Sequence, residues 1–175
     1  YYVFTDGAYE PTSETPGTIG GLLVDQWGRS LEFFGLALPQ SLLSQFLELS
    51  DHPIYELELL PTLVALRVWT EQLRGCHVVF YLDNTAAHSA LVRADGATGI
   101  AMGITKEFVK YEKILGLLPW FGRVPSISNP ADDASRLNFQ VPWLAKAKHR
   151  HVVLPEHLSQ WGIQTGAPET KDRKT

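Results

Sequence analysis

Four acidic residues sit where chains often place side chains that do chemistry. Asp6 follows the aromatic and β-branched run Tyr1-Tyr2-Val3-Phe4-Thr5, and Glu58 lies in a long apolar segment of helical period. Asp83 follows the short run His77 to Leu82, and Asp132 comes directly after Asn129-Pro130-Ala131. Carboxylates without cysteine or paired histidine among them suit hard cations, Mg²⁺ or Mn²⁺, rather than zinc. Two such ions about 3.5–4 Å apart activate a water and stabilise the leaving oxygen of a phosphodiester. An acid at a strand end or a helix start also serves as a turn former or a cap. The elements that carry the four acids decide between these roles.

Those elements can be read from periodicity. Tyr1 to Thr5 is a strand ending in Asp6-Gly7, Thr18 to Val24 is a second apolar run, and Asp25-Gln26-Trp27-Gly28 turns it into Ser30 to Leu36. Together they predict a three-stranded antiparallel meander. Leu38 to Pro53 fits either a short helix or an irregular connector. From Ile54 to Leu73 the rows Leu57, Leu60, Val64, Val68 and Leu59, Leu63, Leu66, Leu73 follow a 3.6-residue period, which predicts the strongest helix, ended by Gly75. His77 to Leu82 is a buried-type strand, Thr85 to Arg93 and Gly99 to Leu117 are helices, and Arg123 to Ile127 is the last strand. Asn129 is placed to cap, and Pro130 to start, a short final helix through Asp132 to Leu137. An antiparallel half followed by strands alternating with helices implies an α/β fold, a mixed sheet covered on both faces.

The bulk properties narrow the choices. At 175 residues, 45% hydrophobic and 19% charged, the chain suits one packed domain. The longest uncharged stretch, Phe33 to Leu47, is 15 residues and carries Pro39, Gln40, Ser41, Ser44 and Gln45, too short and polar to cross a bilayer. Cys76 is alone, which excludes an internal disulfide framework and makes a reducing, intracellular compartment the expected setting. The sequence opens on a strand with neither initiator Met nor signal-peptide pattern, as expected of a domain cut from a longer protein. Fifteen basic against 19 acidic residues give a net charge of −4, whereas a phosphate-binding protein usually carries a basic surplus. Carboxylates converging on divalent metal would reconcile the two, because the ions turn an acidic pocket electropositive.

The stretches Phe4-Thr5-Asp6-Gly7-Ala8, Glu58-Leu59-Leu60 with Leu63 to Leu66 and Trp69, Tyr81-Leu82-Asp83-Asn84, and Asn129-Pro130-Ala131-Asp132 with Ser135-Arg136-Leu137 come in a characteristic order and spacing. Over about Tyr2 to Leu137 they resemble the ribonuclease H domain of retroelement reverse transcriptases. The resemblance implies a three-layer fold with a mixed five-stranded sheet ordered 3-2-1-4-5 and flanking helices. It implies that Asp6, Glu58, Asp83 and Asp132 hold two Mg²⁺ ions, for which Mn²⁺ can substitute. It makes the RNA strand of an RNA–DNA hybrid the substrate, and the polymerase domain of the same polyprotein the partner. On this reading residues 1–140 form the domain, 141–165 a C-terminal extension packed on or beside it, and 166–175 a disordered tail.

Three departures bear on that expectation. Pro61 falls inside the segment that carries Glu58, so the helix either kinks or begins near Leu60, and Glu56 competes for the role of ligand. Asp133 adjoins Asp132, and only one of two helical neighbours faces a site; Asp132 occupies the family's Ala-Asp slot. The cellular enzymes carry a histidine before the last aspartate, and Arg123 to Asn129 contains none, which lowers the expected rate. A DNA-cutting integrase or resolvase relative, and a catalytically silent binding module, are the rival readings.

Other residues are weighed more briefly. Asn84 either reads 2′-hydroxyls in the hybrid's minor groove or caps the following helix. Lys146, Lys148 and Arg150 form the one concentrated basic run, which either contacts phosphates or is a solvated face. His149, His151 and His157 lack the spacing of a zinc site. Trp69, Trp120, Trp143 and Trp161 are expected to pack, and Cys76 to be a small buried apolar residue.

Overall fold

A computed structural model describes residues 1–164; the tail expected over residues 166–175 lies outside the described residues. The chain forms, in order, β1 (Tyr2–Tyr9), β2 (Gly17–Val24), β3 (Ser30–Ala37), α1 (Gln40–Leu47), α2 (Ile54–Val68), α3 (Thr70–Leu73), β4 (His77–Leu82), α4 (Thr85–Arg93), α5 (Gly99–Leu115), β5 (Leu118–Arg123), α6 (Asp132–Ser135), α7 (Pro142–Ala145) and β6 (Lys148–His149). The strands make one mixed sheet ordered β5-β4-β1-β2-β3-β6. β1, β2 and β3 are antiparallel, while β4 lies parallel to both β1 and β5.

The expected order 3-2-1-4-5 is therefore present, with one correction: there are six strands, not five. The sixth comes from the C-terminal segment, where Lys148 and His149 pair in parallel with Glu32 and Phe33. Two residues of irregular, charged sequence carry no periodicity, so only tertiary pairing makes them a strand.

One face of the sheet is dry. Val3, Ile19, Leu23, Phe34, Val78, Phe80 and Leu82 pack there against α1, α2, α4 and α5. Every residue of α2 from Glu56 to Leu66 is buried, as expected of a helix enclosed by a sheet on one side and α5 on another. α2 runs through Pro61 rather than beginning beside it. Proline supplies no N–H to the Leu57 carbonyl, and that carbonyl lies against Gly7, where a Cβ would collide with it. The break comes later than Pro61, at Trp69, beyond which α3 continues as one turn.

The opposite face carries the smaller cluster of Leu22, Val24, Phe33, Ala134 and Leu144 beneath α6 and α7. Here Gly20 pairs with Asp6, and Gly35 pairs with Gly20, so two positions without side chains lie side by side next to Asp6. α6 rests on them. A Cβ at Gly20 would meet the Ser135 backbone nitrogen, and one at Gly35 the Ala134 carbonyl oxygen.

Several boundaries differ from the sequence reading. β1 continues to Tyr9, so Asp6 lies within the strand rather than at its end. The connector after Leu38 contains a true helix, α1. The last long strand is Leu118–Arg123 instead of Arg123 to Ile127, because Gly116 in the left-handed region stops α5 early. Pro119 is tolerated in β5 because that strand has a neighbour on one side only. α6 is a single turn whose N-cap position is Ala131, not Asn129.

Candidate metal centre

β1 and β4 run parallel, with Phe4 opposite Tyr81, so two residues further on Asp6 and Asp83 stand side by side. α2 brings Glu58 to the same point, since its backbone presses against Gly7. One carboxylate oxygen from each of Asp6, Glu58 and Asp83 lies within 4.8 Å of the others. Asp6 is 3% and Glu58 6% exposed. Among the described residues no lysine, arginine or histidine forms an ion pair with any of the three.

Such an arrangement disfavours ionisation. Burial, with Asp83 and Asp132 adding repulsion against a lowering hydrogen bond from Ser135, pushes the Asp6 carboxyl up to about 7. Burial, then the charges of Asp6 and Asp83, push Glu58 up to about 9. Glu58 Oε2 is buried and has no hydrogen-bond partner. An orphaned oxygen beside two further carboxylates, with no sulfur or imidazole donor, is what a hard divalent cation satisfies, so the residues present fit Mg²⁺ or Mn²⁺.

Glu56 stands outside the three-carboxylate group. It too is buried, at 3% exposure, but its Oε1 accepts from Thr98 Oγ1 at 2.7 Å at the start of α5. Asp133 is likewise committed elsewhere, accepting from Asn138 Nδ2 at 2.9 Å. Asp132 is the acid of the pair that influences Asp6, yet it stands outside the three-carboxylate group. Arg136 Nε donates to both its oxygens, at 2.8 and 3.0 Å.

The sequence reading missed the residues that hold Asp6. Ser135 Oγ, fully buried, donates to Asp6 Oδ2. Asn129 Nδ2 donates to the Thr5 carbonyl at 3.0 Å and to Asp6 Oδ1 at 3.4 Å, while its Oδ1 accepts from the Ala131 N–H. Asn129 therefore ties the final segment to β1 instead of capping a helix. A signal was present, since Ser135 and Arg136 follow Asp132 at i+3 and i+4 and share its helical face.

No protein-family model matches the sequence, and comparison with curated proteins yields no significant relative. Solved structures do match. Ribonuclease H1 of the halophilic archaeon Halobacterium salinarum superposes with a TM-score of 0.58 at 17% identity, over 78% of this chain and 95% of that one. The chain has the ribonuclease H fold. The LC11 ribonuclease H1 in complex with an RNA/DNA hybrid matches over 78% of this chain and 94% of its own, with TM-score 0.58 and 15% identity. The prototype foamy virus protease-reverse transcriptase matches with TM-score 0.51 and 11% identity, over 80% of this chain but 21% of that one.

Within the ribonuclease H fold, the remaining expected residues fall in two places. Asn84 caps α4, its Oδ1 accepting from Ala87 N–H at 3.0 Å. The basic run lies at the far edge of the sheet, with β2 and β3 between it and β1, or about 14 Å away at 4.8 Å per strand. There Arg150 is paired with Glu32 at 2.9 Å, and His149 stacks on Phe33 at 4.6 Å. Lys146 and Lys148 are exposed. Nearer the acids, Arg123 donates to the Asp83 carbonyl at 2.8 Å. Trp69 is buried, but Trp120 is 73% and Trp143 43% exposed, so the expectation that these two pack inside is not met. Trp161 covers the guanidinium of Arg67 at 4.4 Å, and Cys76 is half-buried rather than fully buried. No helix among the described residues is long and apolar enough to cross a membrane.

Proposed function

We propose that the domain is a divalent-metal-dependent endonuclease that hydrolyses the RNA strand of RNA–DNA hybrids, carried with a polymerase in a retroelement reverse transcriptase polyprotein. The observation that carries this reading is the convergence of Asp6, Glu58 and Asp83 from three elements with no basic side chain among them. A fold that sought only stability would leave such repulsion unbuilt. The hybrid-bound ribonuclease H1 and the viral protease-reverse transcriptase among the matching structures support the substrate and the setting.

Asp6, Glu58, Asp83 and Asp132 would hold the ions, which supply Lewis acidity to a water and to the phosphate oxygens. Ser135 and Asn129 fix the plane of the Asp6 carboxylate by donating to its two oxygens. The burial that raises Asp6 and Glu58 keeps protons on these carboxyls near neutral pH, so metal loading releases protons. Asn84, fixed at the start of α4, stands next to Asp83, where a 2′-hydroxyl of the RNA strand would present itself.

Incubation with end-labelled RNA–DNA hybrid, duplex DNA and duplex RNA, each with Mg²⁺ or with EDTA, tests the proposal. Cleavage confined to the RNA of the hybrid and abolished by EDTA is expected. Cutting of duplex DNA would favour an integrase-like activity, and no cutting of any substrate with Mn²⁺ present would favour a silent module.

A further inference from the structure

The fourth acid is treated differently from the other three. Asp132 opens α6 and Arg136 caps its C-terminus one turn later, acid first, the orientation in which an i,i+4 pair is most favourable. Arg136 Nε spans both carboxylate oxygens at 2.8 and 3.0 Å, whereas among the described residues no cation pairs with Asp6, Glu58 or Asp83. Residue 135, between the two, is anchored by its hydroxyl to Asp6 and lies against Gly20. The base of α6 is therefore fixed while the Asp132 side chain, 38% exposed, keeps room to turn.

We propose that Arg136 is a positioning residue that holds Asp132 out of the carboxylate cluster, so that the domain loads its two divalent ions in order. The first site is complete at Asp6, Glu58 and Asp83. The second requires Asp132 to leave Arg136 and face Asp6. The inference rests on reading the cluster as a metal site and adds to it a competition within α6.

The hold is a weak one. Arg136 is 62% exposed, and exposed ion pairs shift an equilibrium by about fivefold at most. Such a pair delays the second ion without preventing it. Arg136 also places a positive charge beside the cluster, being bonded to Asp132 and next in the chain to Ser135, which donates to Asp6, and this charge opposes the second cation more than the first because the second site adjoins α6. Once Asp132 has turned away, the guanidinium remains at the rim with its donors unpaired.

Calorimetric titration of the 175-residue chain with Mn²⁺, alongside Arg136→Gln and Arg136→Lys, tests the inference. Two binding steps are expected. Arg136→Gln should tighten the second about fivefold and change the first less than twofold, and Arg136→Lys, which keeps the charge but loses the spanning N–H, should fall between. The paramagnetic resonance signal of coupled Mn²⁺ pairs should appear at fewer equivalents in Arg136→Gln. Equal second-step affinity in all three proteins, or weaker second-step binding in Arg136→Gln, would overturn the role of Arg136 while leaving the metal site standing. Absence of Mn²⁺ binding by the unsubstituted chain, or binding indifferent to Asp83→Asn, would overturn the metal reading itself and the inference with it. Thermal melts of both variants exclude misfolding as a cause.

Discussion

Two corners of the sheet treat acidic residues in opposite ways. At the β3 edge, Glu32 faces Arg150 at 2.9 Å and also accepts from Gln72 at 3.4 Å, so its charge is matched by the segment that adds β6. At the β1–β4 junction, Asp6, Glu58 and Asp83 are gathered within 4.8 Å, and the hydrogen bonds that reach Asp6 come from a hydroxyl and an amide. The same chain thus pairs one acid with a guanidinium and leaves three to repel one another. Stability explains the first corner, and the second is what the proposed divalent ions would relieve.

The sharpest way to break this contrast is to remove one acid from each corner. Asp6→Asn, Asp83→Asn and Glu58→Gln should each lower hybrid cleavage about a thousandfold or more, since metal assistance supplies several kcal/mol of barrier lowering. Their melting temperatures without divalent ions should hold or rise. Glu32→Gln should leave cleavage within about twofold while costing about 1–2 kcal/mol in denaturant unfolding, because it strands a partly buried guanidinium. A stable, fully active Asp6→Asn protein would abolish the distinction.

A pH series probes the same difference by linkage. Asp6 and Glu58 have folded-state values of about 7 and about 9, above their ordinary 3.8 and 4.5. The folded protein therefore keeps protons that the unfolded chain has released, and the stability they confer is present at low pH and lost as pH rises. Without divalent ions, unfolding free energy should fall steadily between pH 4.5 and 9, with Glu58 contributing more of the fall than Asp6. Saturating Mg²⁺ should flatten the decline, and Asp6→Asn should remove its part below pH 7. A rise in stability across that range without metal would show that the cluster is not strained.

Glu56 offers a smaller test. Glu56→Ala breaks the bond from Thr98 and should cost about 1–2 kcal/mol in stability with cleavage retained, the reverse of Glu58→Gln. The smallest effect belongs to the far edge. Lys146→Ala with Lys148→Ala should change the salt slope of hybrid binding by less than about 0.9, the contribution of a single phosphate contact. A larger change, measured by fluorescence anisotropy at two salt concentrations, would mean that the substrate reaches across β2 and β3.

Much of this was legible in the sequence where local pattern and tertiary role agree. The meander, α2 and β4 follow periodicities that their burial enforces, and Asp6 and Asp83 could be paired because parallel neighbours place equivalent positions together. Other features depend on distant partners. Glu56 and Glu58 are indistinguishable by spacing, and what separates them is Thr98, 42 residues from Glu56. Lys148 and His149 become a strand only because β3 presents a free edge. Arg150 stays open between a phosphate contact and a solvated face in the sequence, because nothing local announces Glu32, 118 residues away. Pro61 suggested a broken helix, but the Leu57 carbonyl it leaves without an N–H lies against Gly7, a contact no local rule describes.

The two glycines under α6 bear on how this chain can change over generations. A one-turn helix has no stability of its own, so Asp132, Ser135 and Arg136 inherit their places from Gly20 and Gly35. Any side chain introduced there would lift all three at once. In a saturation scan scored for cleavage, positions 20 and 35 should be as intolerant as Asp6, even toward alanine. In a parallel scan scored for abundance, Gly20→Ala and Gly35→Ala should also fail, whereas Asp6→Asn should pass. Drift at these two sites is closed chiefly by backbone contact, and a lineage that lost either glycine would have to rebuild α6 before Asp132, Ser135 and Arg136 could return to their places.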